Sequence, residues 1–397
     1  MYSGDEKWCK PGQLTDQGMA QHRSLGGQLH LLYKDFIEEH LTSPEKVFIR
    51  STDYPRTLQS AASFLSTFLP EKLTSLLSAA DKKINIWTTE DFNSEIMHGV
   101  GIKHESTRYS DKVLAQAWQC DEAIALANKQ RQYFENTTML SGKSMIMHQL
   151  ESFFGNDIRS MKITDATDPI HARICHRLPL PCSPKGCVDP TMASDMISKS
   201  HAMYCGRYSG AQGGERATKL AMKPFLDKLL DDIMGALEGE AGPSVPLYGE
   251  GGRAQDNWRR NGEGAPFSLY VGHDTVVSPV LAALGAFDCL WPPYAAHIVL
   301  EIWKDNDLHH HIRTAKTPSQ VGTIHQYLDA FSFRLFYNGA DRTRHVTGCP
   351  QSGGGRRGGG GLACPFEVLH GLISGVVAPY ESLEEACQPR MGAVVGG

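Results

Sequence analysis

The sequence predicts an α/β fold in which a mixed central sheet is flanked by helices, with a helical cap domain inserted. Two stretches, 47–69 and 266–285, each read as a short apolar strand that turns directly into a helix. From about residue 105 to 235, the pattern is helical, rich in loops and almost free of alternating strands. The expected divisions are an α/β core at 1–104 and 266–345, a helical cap domain at 105–235, a Gly/polar insertion or linker at 236–265, and a cysteine-containing C-terminal extension at 346–397.

The composition is that of a soluble globular protein. Hydrophobic residues make up 41% and charged residues 21% of the 397 residues, which suffice for one large or two ordinary domains. A net charge of −5 supplies no basic field that would attract nucleic acid or an anionic membrane. On that ground we expect no nucleic-acid partner. No apolar run reaches the length of about 18 residues that spans a bilayer, so we expect no direct membrane contact by this chain. The oligomeric state is left open.

The first element expected is a long helix over residues 13–40, "QLTDQGMAQHRSLGGQLHLLYKDFIEEH". Thr15 is placed to cap it. Its apolar face is expected to hold Leu25, Leu29, Leu32 and Phe36. His22, on the same helix, is interpreted as a packed or solvent-facing residue rather than a catalyst.

The stretch "VFIRSTDYPRTLQSA", residues 47–61, predicts a buried strand at its start and a helix beyond the turn. The helical spacing is carried by Leu58, Ala62, Leu65 and Leu69. Asp53 or Thr52 can cap this helix, and Pro55 suits its first turn.

Arg50 stands where this strand turns into the helix. Such a turn presents free backbone N–H groups and the positive end of the helix dipole, which together attract anions. The guanidinium group of Arg50 could grip a phosphate in bidentate fashion. The alternative is an arginine beside a well-capped helix, and Arg56 is interpreted as an exposed structural residue.

The middle of the chain holds its clearest amphipathic helix, "TKLAMKPFLDKLLDDIMGALEGE" at 218–240, with Leu220, Phe225, Leu229 and Ile233 in register. The following residues, 238–265, lose apolar character and predict a linker or insertion.

The stretch "LYVGHDTVVSPVLAALG", residues 269–285, repeats the strand–turn–helix pattern with His273 and Asp274 in the turn. Turns at the carboxyl ends of strands converge on one crevice, so we expect Arg50, His273 and Asp274 to face one pocket. The alternative is that Asp274 is a helix cap beside a surface His273, and Thr52 and Thr275 are interpreted as caps. Two further strands, 295–305 and 331–339, are expected to pair antiparallel.

The ten cysteines form no C-x-x-C motif, which weakens zinc and thioredoxin-type interpretations. Cys349 and Cys364 are expected to form a disulfide that closes a disordered Gly-rich loop. An even cysteine count and the Asn136 glycosylation sequon suit an oxidising compartment. The first ten residues contain no apolar signal segment, although a protein of an oxidising compartment needs one to enter it. The two observations agree if the natural chain begins further upstream.

Three of these stretches together resemble the histidine acid phosphatases. "RSTDYPRTLQSA" is similar to the R-S-T-D-x-x-R-T-x-x-S-A segment of that family. "GHDTVVSPVLAALG", followed by "WPPYAAHIVLEIW", resembles its H-D segment and the next strand, and "GQLTDQGMAQHRSLGGQL" resembles the helix after its catalytic loop. "DPIHARICHRLPLPCSPKGCVD" and "LFYNGADRTRHVTGC" are similar to the 2-phosphoxylose phosphatase branch. The resemblance runs from about residue 9 to 387 and leaves out 238–265.

The resemblance implies a phosphomonoester hydrolase that forms a phosphohistidine, and the branch implies xylose 2-phosphate of the proteoglycan linker as substrate, in the Golgi lumen. Arg50 and His273 would bind the phosphoryl group, and Asp274 would protonate the leaving alcohol. The expected partner is a phosphorylated sugar or another phosphomonoester. The family needs no metal or cofactor. The run at 309–311, "HHH", is interpreted as a hairpin tip that could bind metal adventitiously.

The chain departs from the family at the nucleophile. The R-H-G-x-R-x-P segment expected ahead of the first helix does not occur. Residues 97–99 ("MHG") and 344–346 ("RHV") match its first three letters only in part. We expect that segment, and a membrane anchor, to lie upstream of Met1. The chain as written should bind phosphate weakly and turn over negligibly. The alternative function is a catalytically inactive protein that binds phosphate or a sugar phosphate.

Overall fold

A computed structural model of the chain describes residues 12–52, 54–79, 84–86, 120–136, 141–156, 158, 161–210, 213–241, 264–305, 328–351, 356–358 and 361–388. Their architecture is mixed α/β, which confirms the predicted fold class. The helices are α1 Asp16–Leu32, α2 Lys34–His40, α3 Pro55–Phe68, α4 Glu71–Ala79, α5 Asp121–Asn136, α6 Ser141–Phe154, α7 Ile163–Cys175, α8 Pro190–Ser209, α9 Gly214–Ala241, α10 Asp274–Ala283, α11 Phe366–Ser374 and α12 Leu383–Cys387. The strands are β1 Val47–Ser51, β2 Cys182–Ser183, β3 Gly186–Cys187, β4 Phe267–Val271, β5 Ile298–Lys304, β6 Phe331–Tyr337, β7 Ala340–Asp341, β8 Arg356–Gly358 and β9 Gly361–Pro365.

The predicted N-terminal helix is two helices, α1 and α2, which meet at Tyr33. Thr15 caps α1 as expected, because its hydroxyl accepts a hydrogen bond from the backbone N–H of Gly18 at 3.1 Å. The backbone of Tyr33 (φ −108°, ψ 24°) then leaves the helical region and breaks the run. Gly26 lets α1 lie directly against α3, since a Cβ at that position would stand 2.3 Å from the carbonyl oxygen of Phe64.

The two predicted strand–helix units are joined by parallel pairing of β1 with β4, in which Arg50 lies opposite Tyr270. The predicted helix after β1 begins at Pro55, as expected. Its N-cap residue is Tyr54, which makes no side-chain cap bond, so the predicted cap by Thr52 is wrong. Asp53, the other cap considered, lies outside the described residues.

The helix of the second strand–helix unit, α10, begins differently from the alternative in which Asp274 caps it. His273 occupies the N-cap position of α10 without a side-chain cap bond, and Asp274 is the first helical residue, so the alternative in which Asp274 is the cap is wrong. The predicted end of this helix is confirmed. Gly285 (φ +82°) follows the C-cap residue Leu284 in the left-handed conformation that suits glycine.

A second sheet has the strand order β5-β6-β9-β8, with β7 paired to β6, and all its pairings are antiparallel. The predicted antiparallel pairing of β5 and β6 is therefore confirmed. The region named a C-terminal extension is part of this sheet, because β9 pairs with β6 and α11 buries Phe366, Leu369 and Ile373 in the largest apolar core.

The largest core packs α9 and α10 against β6 and α11. A separate cluster holds the helical middle of the chain together and is built from α6, α7 and α8. Helix α9 contributes Phe225 and Leu226 to the largest core and contacts α5 and α8 as well. Helix α9 continues to Ala241, beyond residue 235, where the cap domain is expected to end. The division of the chain into domains stays a prediction.

Four disulfides tie the described residues together. The predicted Cys349–Cys364 bond is confirmed, and the others are Cys120–Cys387, Cys182–Cys187 and Cys205–Cys289. The expectation that the Gly-rich loop is disordered is wrong for 356–358, which pairs with β9 as a strand, while 352–355 and 359–360 lie outside the described residues. None of the helices described here has both the length and the apolar character that crossing a bilayer requires.

The central strand β6 supplies a direct test of the fold. The ring of Phe333 is 0% exposed in the largest core, so Phe333→Ala should lower the free energy of unfolding by about 3–5 kcal/mol. Phe336 is the matched control, because it lies on the other face of the strand, partly exposed beneath Arg334. Urea unfolding of both alanine variants should show the larger loss for Phe333, and equal losses would contradict this packing.

Candidate active site

The turns that follow β1 and β4 are held together by Thr52. Its backbone N–H donates to the carbonyl oxygen of Val271 at 3.0 Å. Its hydroxyl oxygen lies 3.1 Å from Nε2 of His273, and it also donates to the hydroxyl of Thr57 at 3.0 Å. Thr52 therefore does not cap a helix. It joins two turns that are 221 residues apart in sequence.

His273 is held from a second side by aromatic packing. The ring of Tyr54 meets the imidazole edge to face, with centroids 5.1 Å apart and planes at 87°. The guanidinium of Arg56 lies 4.5 Å from the centroid of the same Tyr54 ring. The expected exposure of Arg56 is wrong, because this side chain is half-buried and lines the cavity in front of His273.

Asp274 is bound by Tyr204 of α8, whose phenolic hydroxyl donates to Oδ2 of the carboxylate. Tyr204 is buried and stacks on Trp291 at a centroid distance of 4.9 Å. Burial, together with the charge of Asp274, raises the pKa of Tyr204 far above its ordinary value, so the phenol keeps the proton that it donates. Sequence reasoning missed Tyr204, since a tyrosine within a helix carries no local signal of such a role.

Arg50 is buried, with 4% of its surface exposed, and its Nε and Nη2 groups have no hydrogen-bond acceptor among the described residues. Burial lowers the pKa of Arg50, while the nearby Tyr270 and Asp232 act in the opposite direction. The carboxylate of Asp232 is already engaged by Lys228 and by the hydroxyl of Tyr270. Arg50 therefore holds buried donors without a matching acceptor, a state that proteins usually avoid.

An acidic group from the middle of the chain faces the same cavity. Asp168, on α7, is an exposed residue that lines the cavity; partial desolvation and the charges of Asp274 and Asp165 raise its pKa, whereas the charge of Arg56 lowers it. Asp168 and Asp274 are thus close enough to repel each other. Asp168 begins the stretch "DPIHARICHRLPLPCSPKGCVD", but the sequence alone assigns it no role.

A cavity of about 2310 Å³ is lined by Arg56, Asp168, Tyr204, His273 and Asp274, and His22 and Thr275 also line it. The buried side chain of Arg50 is not among the described residues that line this cavity. Burial lowers the pKa of His22, which favours its neutral form. Within the described ranges no group of three or more His, Cys, Asp or Glu side chains could hold a metal ion, and the run at 309–311 lies outside them.

Comparison with known families gives one match over most of the chain. Residues 5–316 match the family described as histidine phosphatase superfamily (branch 2). Human 2-phosphoxylose phosphatase 1 is 25% identical over 357 residues, which cover 86% of this chain and 58% of that protein. Counting factor 60 of Dictyostelium discoideum is 25% identical over 309 residues, which cover 75% of this chain and 61% of that protein. The chain thus spans about three fifths of the length of these relatives.

Two solved structures are similar in fold. A phytase of Klebsiella sp ASR1 aligns with a TM-score of 0.56 and 12% identity, covering 97% of this chain and 88% of the phytase. The apo form of Hafnia alvei phytase aligns with a TM-score of 0.54 and 12% identity, covering 98% and 92%. At this identity the likeness concerns the fold alone.

The electrostatic coupling at the cavity can be measured directly. Asp274→Asn should lower the pKa of Asp168, because it removes a neighbouring negative charge, and Arg56→Gln should raise it, because it removes a positive one. Carboxyl NMR titration of the parent chain and both variants would record the two shifts. If the pKa of Asp168 is the same in all three proteins, these groups do not share one cavity wall.

Proposed function

The chain belongs to the histidine phosphatase superfamily (branch 2), and from that premise we propose that it is the larger part of a phosphomonoester hydrolase of the histidine acid phosphatase type. In this proposal the phosphoryl group binds where the carboxyl ends of β1 and β4 meet. It is transferred to a histidine nucleophile and then to water. Arg50, His273 and Asp274 are the proposed site residues.

The single observation that carries the proposal is the buried guanidinium of Arg50. Two of its N–H-bearing nitrogens lack acceptors, and a phosphate can accept from both in bidentate fashion. Phosphoryl transfer depends mainly on positioning and on stabilising charge that spreads over the phosphoryl oxygens. A fixed arginine inside low-dielectric surroundings performs that task better than an exposed one.

His273 and Asp274 have separate roles in this proposal. His273 binds a phosphoryl oxygen, and Thr52 and Tyr54 hold its imidazole in place. Asp274 protonates the leaving alcohol and afterwards takes a proton from the attacking water. Tyr204 is a positioning residue, because its hydroxyl fixes one carboxylate oxygen of Asp274.

The nucleophile is proposed to lie outside these 397 residues. No R-H-G triplet occurs in the sequence, and His273 stands beside Asp274 at the start of α10, which suits binding to phosphate better than attack on it. The same observation favours a second candidate function, a non-catalytic phosphate- or sugar-phosphate-binding protein. Upstream transcript sequence separates the two, because an in-frame R-H-G-x-R-x-P behind an apolar anchor belongs to the enzyme.

For the substrate we propose xylose 2-phosphate of the proteoglycan linker, supported by the similarity to 2-phosphoxylose phosphatase 1. Asp168 and the nearby Tyr294 supply hydrogen-bonding groups suited to sugar hydroxyls. Four disulfides fit an oxidising compartment, and we place the protein in the Golgi lumen by an upstream anchor, with secretion or a lysosomal location as alternatives.

Activity assays test the role of the missing nucleophile. The purified chain should hydrolyse p-nitrophenyl phosphate no faster than a heat-denatured sample, because its remaining groups bind and protonate but do not attack. Extending the chain upstream with an R-H-G-x-R-x-P segment should create activity. Robust turnover by the short chain, abolished by His273→Ala, would show that the nucleophile is misassigned.

Substitutions in the extended protein separate the two proposed roles. Asp274→Ala should reduce kcat by about 10²–10⁴-fold while preserving most of the inhibition by inorganic phosphate, because it removes the proton donor. Arg50→Ala should reduce kcat and also weaken inhibition by phosphate. Equal effects of the two variants on phosphate inhibition would contradict this division of roles.

A further inference from the structure

A set of charged and polar side chains lies between strands β1 and β4 and helix α9. Arg50 of β1 stands opposite Tyr270 of β4, so these two side chains leave the same face of the strand pair. Helix α9 covers that face, because Phe225 meets the Tyr270 ring edge to face at a centroid distance of 5.3 Å. Lys228 of α9 places Nζ 4.9 Å from the centroid of the Phe48 ring, and Phe48 shares a face with Arg50 on β1. The Arg50 side chain is therefore directed toward α9.

Three ionisable groups are buried together at this contact. Arg50 and Asp232 are each 4% exposed, and Lys228 is 3% exposed. Burial lowers the pKa of Arg50, while Tyr270 and Asp232 raise it, so Asp232 is close enough to act on the guanidinium. A carboxylate that is buried near an arginine ordinarily accepts two parallel N–H bonds from it, because the pairing offsets the cost of removing both charges from water.

Asp232 is bound by other donors instead. Its Oδ1 accepts a hydrogen bond from Nζ of Lys228, and its Oδ2 accepts one from the hydroxyl of Tyr270. Burial and the neighbouring Asp232 raise the pKa of Tyr270 well above its ordinary value, so the phenol keeps the proton that it donates. The two bonds reach the carboxylate from two elements, α9 and β4, and fix its orientation. Nε and Nη2 of Arg50 have no acceptor among the described residues.

We propose that Lys228 and Tyr270 are positioning residues that restrain Asp232, so that the donors of Arg50 stay free for a phosphoryl group. Asp232 supplies the negative charge that stabilises a buried guanidinium, and it leaves unoccupied the N–H groups that the anion needs. An unrestrained Asp232 would compete with phosphate for the same donors. The inference rests on the proposed function in one respect, the anion that Arg50 binds. The restraint itself is a property of the chain without any ligand.

Removal of the Tyr270 hydroxyl tests the restraint. Tyr270→Phe keeps the ring and its packing on Phe225 but leaves Oδ2 of Asp232 without this donor. A buried carboxylate oxygen that has lost a donor turns to a neighbouring one, and Arg50 has two N–H-bearing nitrogens without acceptors. A crystal structure of the full 397-residue variant, grown without phosphate or sulfate, should show Oδ2 of Asp232 within about 3 Å of Nε or Nη2 of Arg50.

Tyr33→Phe is the matched control. The hydroxyl of Tyr33 donates to a carboxylate oxygen of Glu301 on β5 at 2.6 Å, so this substitution also removes one bond between a phenol and a carboxylate. The other oxygen of Glu301 accepts from Nε1 of Trp303 at 2.8 Å, which places this carboxylate in a different network. Arg50 and Asp232 should keep their positions in the Tyr33→Phe variant.

Binding of inorganic phosphate, measured by isothermal titration calorimetry, shows whether the restraint serves an anion. Tyr270→Phe should weaken phosphate binding at least about tenfold, because Asp232 then occupies Arg50. Adding Asp232→Asn to this variant should restore the affinity to within about threefold of the parent chain, since an amide forms no ion pair with Arg50. Tyr33→Phe should leave the affinity unchanged. Rescue by a second substitution distinguishes the restraint from damage to packing, in which two losses would add.

The outcomes separate the restraint from the proposed function. An Arg50 that stays apart from Asp232 in Tyr270→Phe, or a double variant that binds phosphate more weakly still, would overturn the proposal. If Asp232 pairs with Arg50 in Tyr270→Phe but neither the parent chain nor any variant binds phosphate, the restraint stands and the proposed function falls. If the double variant does not fold, the position of Arg50 in the Tyr270→Phe crystal decides alone.

Discussion

The contact between Thr52 and His273 is the interaction on which the rest of this site depends. Parallel pairing of β1 with β4 brings two distant turns to one edge, and the Thr52 hydroxyl then fixes the imidazole at 3.1 Å. Each turn alone is an ordinary strand-to-helix junction. Together they place a buried arginine, a histidine and a carboxylate on two neighbouring strands and the helix that follows, which is the arrangement that open α/β folds use for ligands.

Helix α8, in the middle of the chain, is bonded to the residues at the carboxyl edge of β1 and β4. Tyr204 reaches from α8 to Asp274, and the Cys205–Cys289 disulfide connects the same helix to the loop that carries Trp291. Helix α9 packs against both α8 and α10. A movement of α8 would therefore change the hydrogen bond on Asp274. Under the proposed function, access to the cavity and the orientation of the proposed proton donor are physically coupled.

Local patterns in the sequence predicted the elements that local chemistry determines. The apolar run before Arg50, the cap at Thr15 and the glycine at 285 each follow from rules that act within a few residues. The contacts that shape the site are long-range. The local sequence predicts Thr52 as a cap, because its true partner, His273, is 221 residues away. Tyr204 and Asp168 belong to helices whose position over the site depends on packing, and no single-sequence pattern encodes it. The pocket shared by Arg50, His273 and Asp274 stays a prediction about function, although the structure places their strands side by side.

A crystal structure of the chain with tungstate, a stable analogue of phosphate, tests the role of Arg50 directly. The anion should lie at the carboxyl edge of β1 and β4, accepting hydrogen bonds from Nε or Nη2 of Arg50 and in contact with His273. Arg50→Ala should remove the anion, because no other buried donors on β1 lack acceptors among the described residues. An anion bound elsewhere, or one that remains at this edge in the Arg50→Ala variant, would show that Arg50 does not hold the phosphoryl group.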